Sequence, residues 1–230
     1  MASLGKLSAS VVHEINNPIN GIINYAQLLS KKSEEGSFSK NVLQSIVREG
    51  NRVAELVSNL LGFAHKDTKK KQFVALKSLI AEPINLLSRF FKNEGIHLDI
   101  GIGDDLPEVY CNERQIEQVI LNLLSNARYA LNEKYPKEGN NKFIIIDSLP
   151  QEKDDQLQLY IQDMGTGIDQ VNLQKILAPL FINQQAGIGT GIGLSISKNI
   201  LLINNGDIYI ESKFGEYTKV ILTLSTTKPE

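Results

Sequence analysis

Apolar residues fall at Leu4, Leu7, Val11, Ile15, Ile19, Ile22, Ala26 and Leu29, in steps of three or four. That spacing lines one face of an α-helix. A polar stretch, Ser33-Glu34-Glu35-Gly36-Ser37, interrupts it, and the pattern resumes at Val42, Ile46, Val53, Leu56, Leu60 and Phe63. Two amphipathic helices joined by a short polar loop make an antiparallel hairpin. A lone hairpin cannot bury both sides of its stripes. A second copy of the chain is the expected partner, and a homodimeric four-helix bundle the expected product.

Beyond the hairpin the pattern changes. His65 to Gln72 is polar and basic, and reads as a linker or equally as a solvated helix end. Phe73 to Leu76 reads as a short strand, Leu79 to Phe91 as a helix in which Pro83 is tolerable only near the first turn, and Ile96 to Ile102 as a strand. Asn112 followed by Gln115 resembles a capping box opening a helix that runs to about Leu131. Phe143 to Leu149 and Leu157 to Asp163 read as paired strands around a polar turn. A glycine-rich region follows, then a helix from about Gly193 to Asn204 and two last strands, Asp207 to Ser212 and Thr218 to Leu224. Helices grouped with a largely antiparallel sheet indicate a two-layer α/β sandwich. The expected class is therefore α + α/β, with a helical domain over 1–68 and a sandwich domain over 72–230.

Composition narrows the partners. The formal net charge is −2, so no long-range field favours nucleic acid or an anionic membrane. Cys111, the one cysteine, has no partner for an internal disulfide, which fits a reducing, cytoplasmic setting. The longest apolar runs, such as Phe143 to Ile146, are too short to span a bilayer, and Lys6 and Ser8 to Ser10 precede no apolar signal segment.

His13 sits inside the first expected helix, in Val11-Val12-His13-Glu14-Ile15-Asn16-Asn17-Pro18. A helical histidine is most often structural, but three features mark this one. Pro18 removes the hydrogen bond to the Glu14 carbonyl and bends the helix, at a cost of about 3 kcal/mol. His13 lies off the apolar stripe and can face solvent. Glu14 beside it can orient the imidazole or take its proton, and Asn17 lies one turn on, on the same face.

Three further patterns lie downstream. Asn122 and Asn126, in Asn122-Leu123-Leu124-Ser125-Asn126-Ala127, share a helical face. Alone they read as a solvated surface, yet a magnesium–triphosphate complex also needs neutral oxygen ligands that do not repel phosphate. Asp163-Met164-Gly165-Thr166-Gly167-Ile168 ends an expected strand, where Gly165 and Gly167 allow close backbone approach. Gly187-Ile188-Gly189-Thr190-Gly191-Ile192-Gly193-Leu194 precedes a helix. It reads as a flexible loop, or as a phosphate cradle of backbone N–H groups at a helix N-terminus. It is neither a Walker loop nor a clean Rossmann fingerprint.

In this order and spacing the motifs resemble the boxes of sensor histidine kinases, over about residues 3 to 225. Leu4-Gly5-Lys6-Leu7-Ser8-Ala9 and His13-Glu14-Ile15-Asn16-Asn17-Pro18 are similar to the phosphoacceptor box, most of all in the class that includes the nitrogen-regulation kinases. The resemblance implies that His13 is phosphorylated, that Glu14 is the general base, and that Asn17 serves dephosphorylation of a partner response regulator. It implies an ATP-binding sandwich of the gyrase/histidine kinase/MutL type. There Asn122 and Asn126 form the N-box, Asn126 binds magnesium, and Asp163 accepts a hydrogen bond from the adenine amino group. Gly165 and Gly167 belong to the first glycine box, and Gly187, Gly189, Thr190, Gly191, Gly193 and Leu194 to the second. The implied cofactors are ATP and Mg2+. The implied partners are a second copy and the receiver domain of a response regulator. Any membrane attachment would come from an upstream sensor region, because Met1 stands only a few residues before the acceptor box.

Asn122 stands where the gyrase and MutL ATPases carry a water-activating glutamate. With no carboxylate there, water is poorly activated and an imidazole can serve as nucleophile instead. The segment Ile176-Leu177-Ala178-Pro179-Leu180-Phe181 resembles the phenylalanine-containing box, but Ile182-Asn183-Gln184-Gln185 departs from the usual Thr and Lys, and no basic residue lies between Asn183 and Ser195. Arg128 and Lys198 are the candidates for a cation at the γ-phosphate, each with a structural role as the plainer reading. His65 and His97 read as structural. Two alternatives stay open on the sequence: a non-kinase ATPase of the gyrase and MutL type, and a dimeric signalling scaffold with a degenerate nucleotide site.

Overall fold

The computed structural model describes residues 9–47, 49–50, 53, 70–136, 141–150, 155–177 and 193–228, with side chains of the first helix described from Pro18 onward. The described residues fall into two compact units, one up to residue 53 and one from residue 70. In the first unit, helix α1 (Ala9–Lys32) runs through Pro18 without a break. Gly36 takes a left-handed φ of 76° in the loop, and the Ser37 hydroxyl accepts from the backbone N–H of Lys40 at 3.2 Å, capping a second helix, α2, over 38–47. Gly50 lets this segment approach α1: a Cβ there would lie 2.5 Å from Ile23 Cγ1. Ile23 and Ala26 are buried, whereas Ile22, Leu29, Val42, Ile46 and Val53 are exposed. Ile19, Ile22, Val42, Ile46 and Val53 line an open apolar groove of about 550 Å3. The stripe is thus only partly covered within one chain. Leu56, Leu60 and Phe63 lie outside the described residues.

The second unit begins with β1 (Gln72–Val74), α3 (Leu76–Glu94), β2 (His97–Ile100), β3 (Val109–Cys111) and α4 (Glu113–Lys134). It continues with β4 (Phe143–Ser148), β5 (Gln156–Asp163), α5 (Gln170–Leu173), α6 (Gly193–Ile203), β6 (Asp207–Lys213) and β7 (Tyr217–Ser225). The main sheet has the order β2-β4-β5-β7-β6; β2 is parallel to β4 and the remaining pairs are antiparallel, with Ile161 opposite both Ile146 and Val220. Strand β5 shows why one face is covered: Leu157, Leu159, Ile161 and Asp163 are buried, and the residues between them are half-buried. Helices α3, α4 and α6 supply the second layer, with Leu79, Ile116, Ile120, Leu124, Leu131 and Leu201 fully enclosed. Each such side chain contributes about 1.5–3 kcal/mol by leaving water.

Besides the short α5, two features depart from the sequence reading. Strand β3 was not expected; it pairs antiparallel with β1, Phe73 opposite Tyr110, and buries Val109 and Cys111. Helix α3 starts at Leu76, so Pro83 sits about two turns inside it. The helix persists because Leu76, Leu79, Ile80, Pro83 and Leu87 form its buried face, and the proline ring serves there as apolar surface. Among the described residues no helix is long and apolar enough to cross a membrane.

Candidate nucleotide site

Helix α4 carries the site, and its start is fixed from two sides. The Asn112 side chain accepts from the backbone N–H of Gln115 at 3.3 Å, as a capping residue should. The backbone N–H of Asn112 donates to Asn204 Oδ1 at 2.8 Å, and Asn204 Nδ2 donates to Gln115 Oε1 at 2.9 Å. Residues four apart then climb one face: Asn122, Asn126, Ala130 and Lys134.

Each rung except Asn126 touches another part of the site. Asn122 Nδ2 donates to Ser197 Oγ at 3.0 Å, and a Cβ on Gly193 would meet Asn122 Oδ1 at 2.4 Å. Asn126 is exposed. Ala130 packs against Gly165, where a Cβ would fall 2.5 Å from Ala130 Cβ and 2.8 Å from its carbonyl carbon. Lys134 Nζ donates to the carbonyls of Met164 at 2.9 Å and Glu216 at 3.1 Å, tying the turn after β5 to the β6–β7 hairpin. Gly167 adopts φ 64°, and a Cβ there would lie 2.1 Å from the Lys213 carbonyl oxygen, so both first-box glycines are sterically required. The backbone N–H of Gly215 donates to the Thr166 carbonyl at 2.7 Å, and that of Ile168 to Ser212 Oγ at 2.8 Å.

Asp163 ends β5 with 6% of its surface exposed, and its Oδ1 accepts from the Gly165 backbone N–H at 2.9 Å. Burial pushes its carboxyl up to about 7, against the opposing pull of that N–H and of Lys134. A buried carboxylate near its titration point is suited to accept a hydrogen bond from an exocyclic amine. The donor set also fits a magnesium–triphosphate: neutral amide oxygens at Asn122 and Asn126, with no cluster of three or more His, Cys, Asp or Glu among the described residues.

Arg128 faces elsewhere. Its guanidinium is paired with Glu94, at 2.6 Å through Nε, and lies over the Phe90 ring at 4.5 Å. Burial would raise the Glu94 carboxyl, but Arg128, Asn132 and Lys142 hold it below its ordinary value. Arg128 therefore joins α3 to α4, which is the structural role. His97 stacks on Phe143 at 5.4 Å in β2, again structural. Lys198 is half-buried on α6. Leu194 is half-buried beside Gly193. Gly187, Gly189, Thr190 and Gly191 lie outside the described residues, as do 178–181 and the side chains of His13, Glu14 and Asn17, whose backbone belongs to α1. Sequence reasoning missed Ser197 and Lys134; the four-residue ladder continuing past Asn126 is the signal that points to Lys134.

Comparison with known proteins identifies the family. Residues 111–228 match the model of the histidine kinase-, DNA gyrase B-, and HSP90-like ATPases, and residues 3–69 match the His Kinase A phospho-acceptor domain. Sporulation kinase E of Bacillus subtilis is 29% identical over 223 residues, covering 96% of this chain and 28% of that protein. Sensor kinase CckA of Brucella abortus is 33% identical over 227 residues, covering 95% of this chain and 24% of its own length. Sensor histidine kinase ZraS of Escherichia coli K12 is 29% identical and is covered to 46%. The chain thus spans from about a quarter to just under half of these relatives. In fold it is similar to full-length ShkA in complex with AMPPNP, with a TM-score of 0.65, 18% identity and coverage of 96% of this chain and 46% of that one. It is likewise similar to histidine kinase ThkA in complex with the response regulator TrrA, at 0.64, 24%, 97% and 62%. The chain belongs to the histidine kinase-, DNA gyrase B-, and HSP90-like ATPases, and with a phospho-acceptor domain ahead of its ATP-binding domain it is the catalytic core of a sensor histidine kinase.

Proposed function

We propose that this chain phosphorylates its own His13 from ATP and passes the phosphoryl group to an aspartate of a response regulator receiver domain. The observation that carries the reading is a phospho-acceptor domain matched over 3–69 followed by an ATP-binding domain over 111–228 whose N-box begins with Asn122 rather than a carboxylate. A nitrogen of the His13 imidazole forms a bond to the γ-phosphorus as the bond to the bridging oxygen breaks, and ADP leaves with that oxygen. Glu14 accepts the proton from the other ring nitrogen. Asp163 receives the adenine amino group. Gly165 and Gly167 admit the base, and Gly187, Gly189, Thr190, Gly191, Gly193 and Leu194 border the phosphates. Asn126, with Asn122 beside it, offers an amide oxygen to magnesium, which supplies charge neutralisation on the triphosphate. The neutral amide at 122 takes no proton from water, which leaves the imidazole as nucleophile.

The acceptor domain occupies 1–68 and the catalytic domain 72–230, a division supported by the two compact units. Two copies pair through the hairpin; the exposed Ile22, Leu29, Val42 and Ile46 support this. A receiver domain is the partner in transfer, and Asn17 serves removal of its phosphoryl group. ATP as the donor places this portion in the cytoplasm. Incubation with γ-labelled ATP and magnesium tests the reading: an acid-labile label on the protein is expected, and its absence from His13→Gln. Label on His13→Gln equal to that on the parent chain would defeat it.

A further inference from the structure

The geometry points to Ser197 as a positioning residue that orients the Asn122 amide toward the metal-bound triphosphate. It rests on the reading of Asn122 as part of the nucleotide site. Ser197 lies one turn into α6 and is 1% exposed. Its Oγ accepts from Asn122 Nδ2 at 3.0 Å. The first residue of the same helix lies against the amide with the oxygen nearest: a Cβ on Gly193 would come within 2.4 Å of Asn122 Oδ1 and 3.0 Å of its Nδ2. Two positions of α6, one turn apart, thus border one amide, and Ser197 bonds its nitrogen.

With the nitrogen engaged by Ser197, the oxygen is left on the Gly193 side, at the end of α6 where the glycine-rich segment 187–192 joins it. A divalent cation is bound by an amide oxygen and repelled by the amide hydrogens. Without the Ser197 acceptor, the amide is free to turn over and present hydrogens where the oxygen stood. Ser197 therefore acts on the metal-dependent part of nucleotide binding and leaves the contacts of the base untouched. The same contact gives Gly193 a second requirement for glycine, independent of phosphate.

The test is calorimetric titration of the whole chain with a non-hydrolysable ATP analogue, once with magnesium and once with EDTA. Ser197→Ala is expected to weaken binding about fivefold in magnesium and to leave binding in EDTA unchanged, the effect of one lost hydrogen bond. Ser197→Thr keeps an Oγ and should restore the parent value. An equal loss in both buffers, no loss in either, or failure of threonine to restore binding would overturn the role of Ser197. A parent chain that binds no analogue in either buffer would instead remove the nucleotide reading beneath it.

Discussion

Asn204 completes the cap of a helix to which it does not belong: its Oδ1 accepts the backbone N–H of Asn112 at 2.8 Å. In a capping box Gln115 would reach back to that N–H itself. Here Gln115 Oε1 accepts from Asn204 Nδ2 at 2.9 Å, and Nδ2 also donates to the Ile200 carbonyl at 2.8 Å. Asn204 is 2% exposed, so these groups find no ready replacement in water. The end of α6 thereby fixes the start of α4, and Ser197 with Asn122 joins the same two helices nearer the site.

Asn204→Ala removes an acceptor and a donor from that junction. The expected loss is about 2 kcal/mol, read as a fall of about 6 °C in the melting temperature for a domain of this size. Asn204→Asp keeps the acceptor for Asn112 but sets a buried carboxylate oxygen against the Ile200 carbonyl and Gln115 Oε1, so it should lose at least as much at neutral pH.

The buried Asp163 carboxyl opposes stability once it is ionised. Its folded-state carboxyl titrates at about 7 instead of 3.8, so between those values the native state holds more protons than the unfolded one. Stability from this group is present at low pH and is lost as pH rises through about 7. Asp163→Asn should therefore melt a few degrees higher than the parent chain at pH 8, with no such gain at pH 4, and should bind ATP far more weakly. Scanning calorimetry at the two pH values, paired with nucleotide titration, checks both effects. In the parent chain, ATP affinity should decline as pH falls below about 7.

Gly165→Ala places a methyl group 2.5 Å from Ala130 Cβ and 2.8 Å from its backbone carbon. The turn after β5 must move away from α4, with an overpacking cost of about 1–3 kcal/mol. Nucleotide affinity should drop at least about tenfold. Gly215→Ala is the comparison: φ is 81° but nothing lies within 4 Å, so a modest loss of stability with affinity retained is expected.

Arg128→Ala separates a structural cation from one at the γ-phosphate. The guanidinium is bonded to Glu94, and its removal leaves a half-buried carboxylate with only Asn132 and Lys142 nearby. The melting temperature should fall, while the autophosphorylation rate per folded molecule stays within about threefold, far short of the loss expected for a transition-state cation. A loss of a hundredfold in rate with unchanged stability would return Arg128 to the site.

The hairpin, the long helices and six of the described strands were legible, most clearly where an element carries its own period: three to four for α1 and α4, two for β5. Strand β3 was not, because Val109–Cys111 is too short to show alternation and owes its form to pairing with β1. Pro83 misled the reading of α3 because local backbone chemistry argues against it, whereas the buried apolar face retains it. The candidate site was legible in the motif residues Asn122, Asn126, Asp163, Gly165 and Gly167, which the sequence proposes as nucleotide contacts. Ser197, Lys134 and Asn204 were not, since a serine, a lysine and an asparagine on helices carry no signal until the fold brings their partners to them.

The γ-phosphoryl group is expected to go to an imidazole and not to water. Mass spectrometry of the chain after brief incubation with magnesium and ATP, digested at alkaline pH to preserve phosphoramidates, tests it directly. One added phosphoryl group on the peptide that contains His13 is the expected result. Free phosphate accumulating while that peptide stays unmodified would contradict the account.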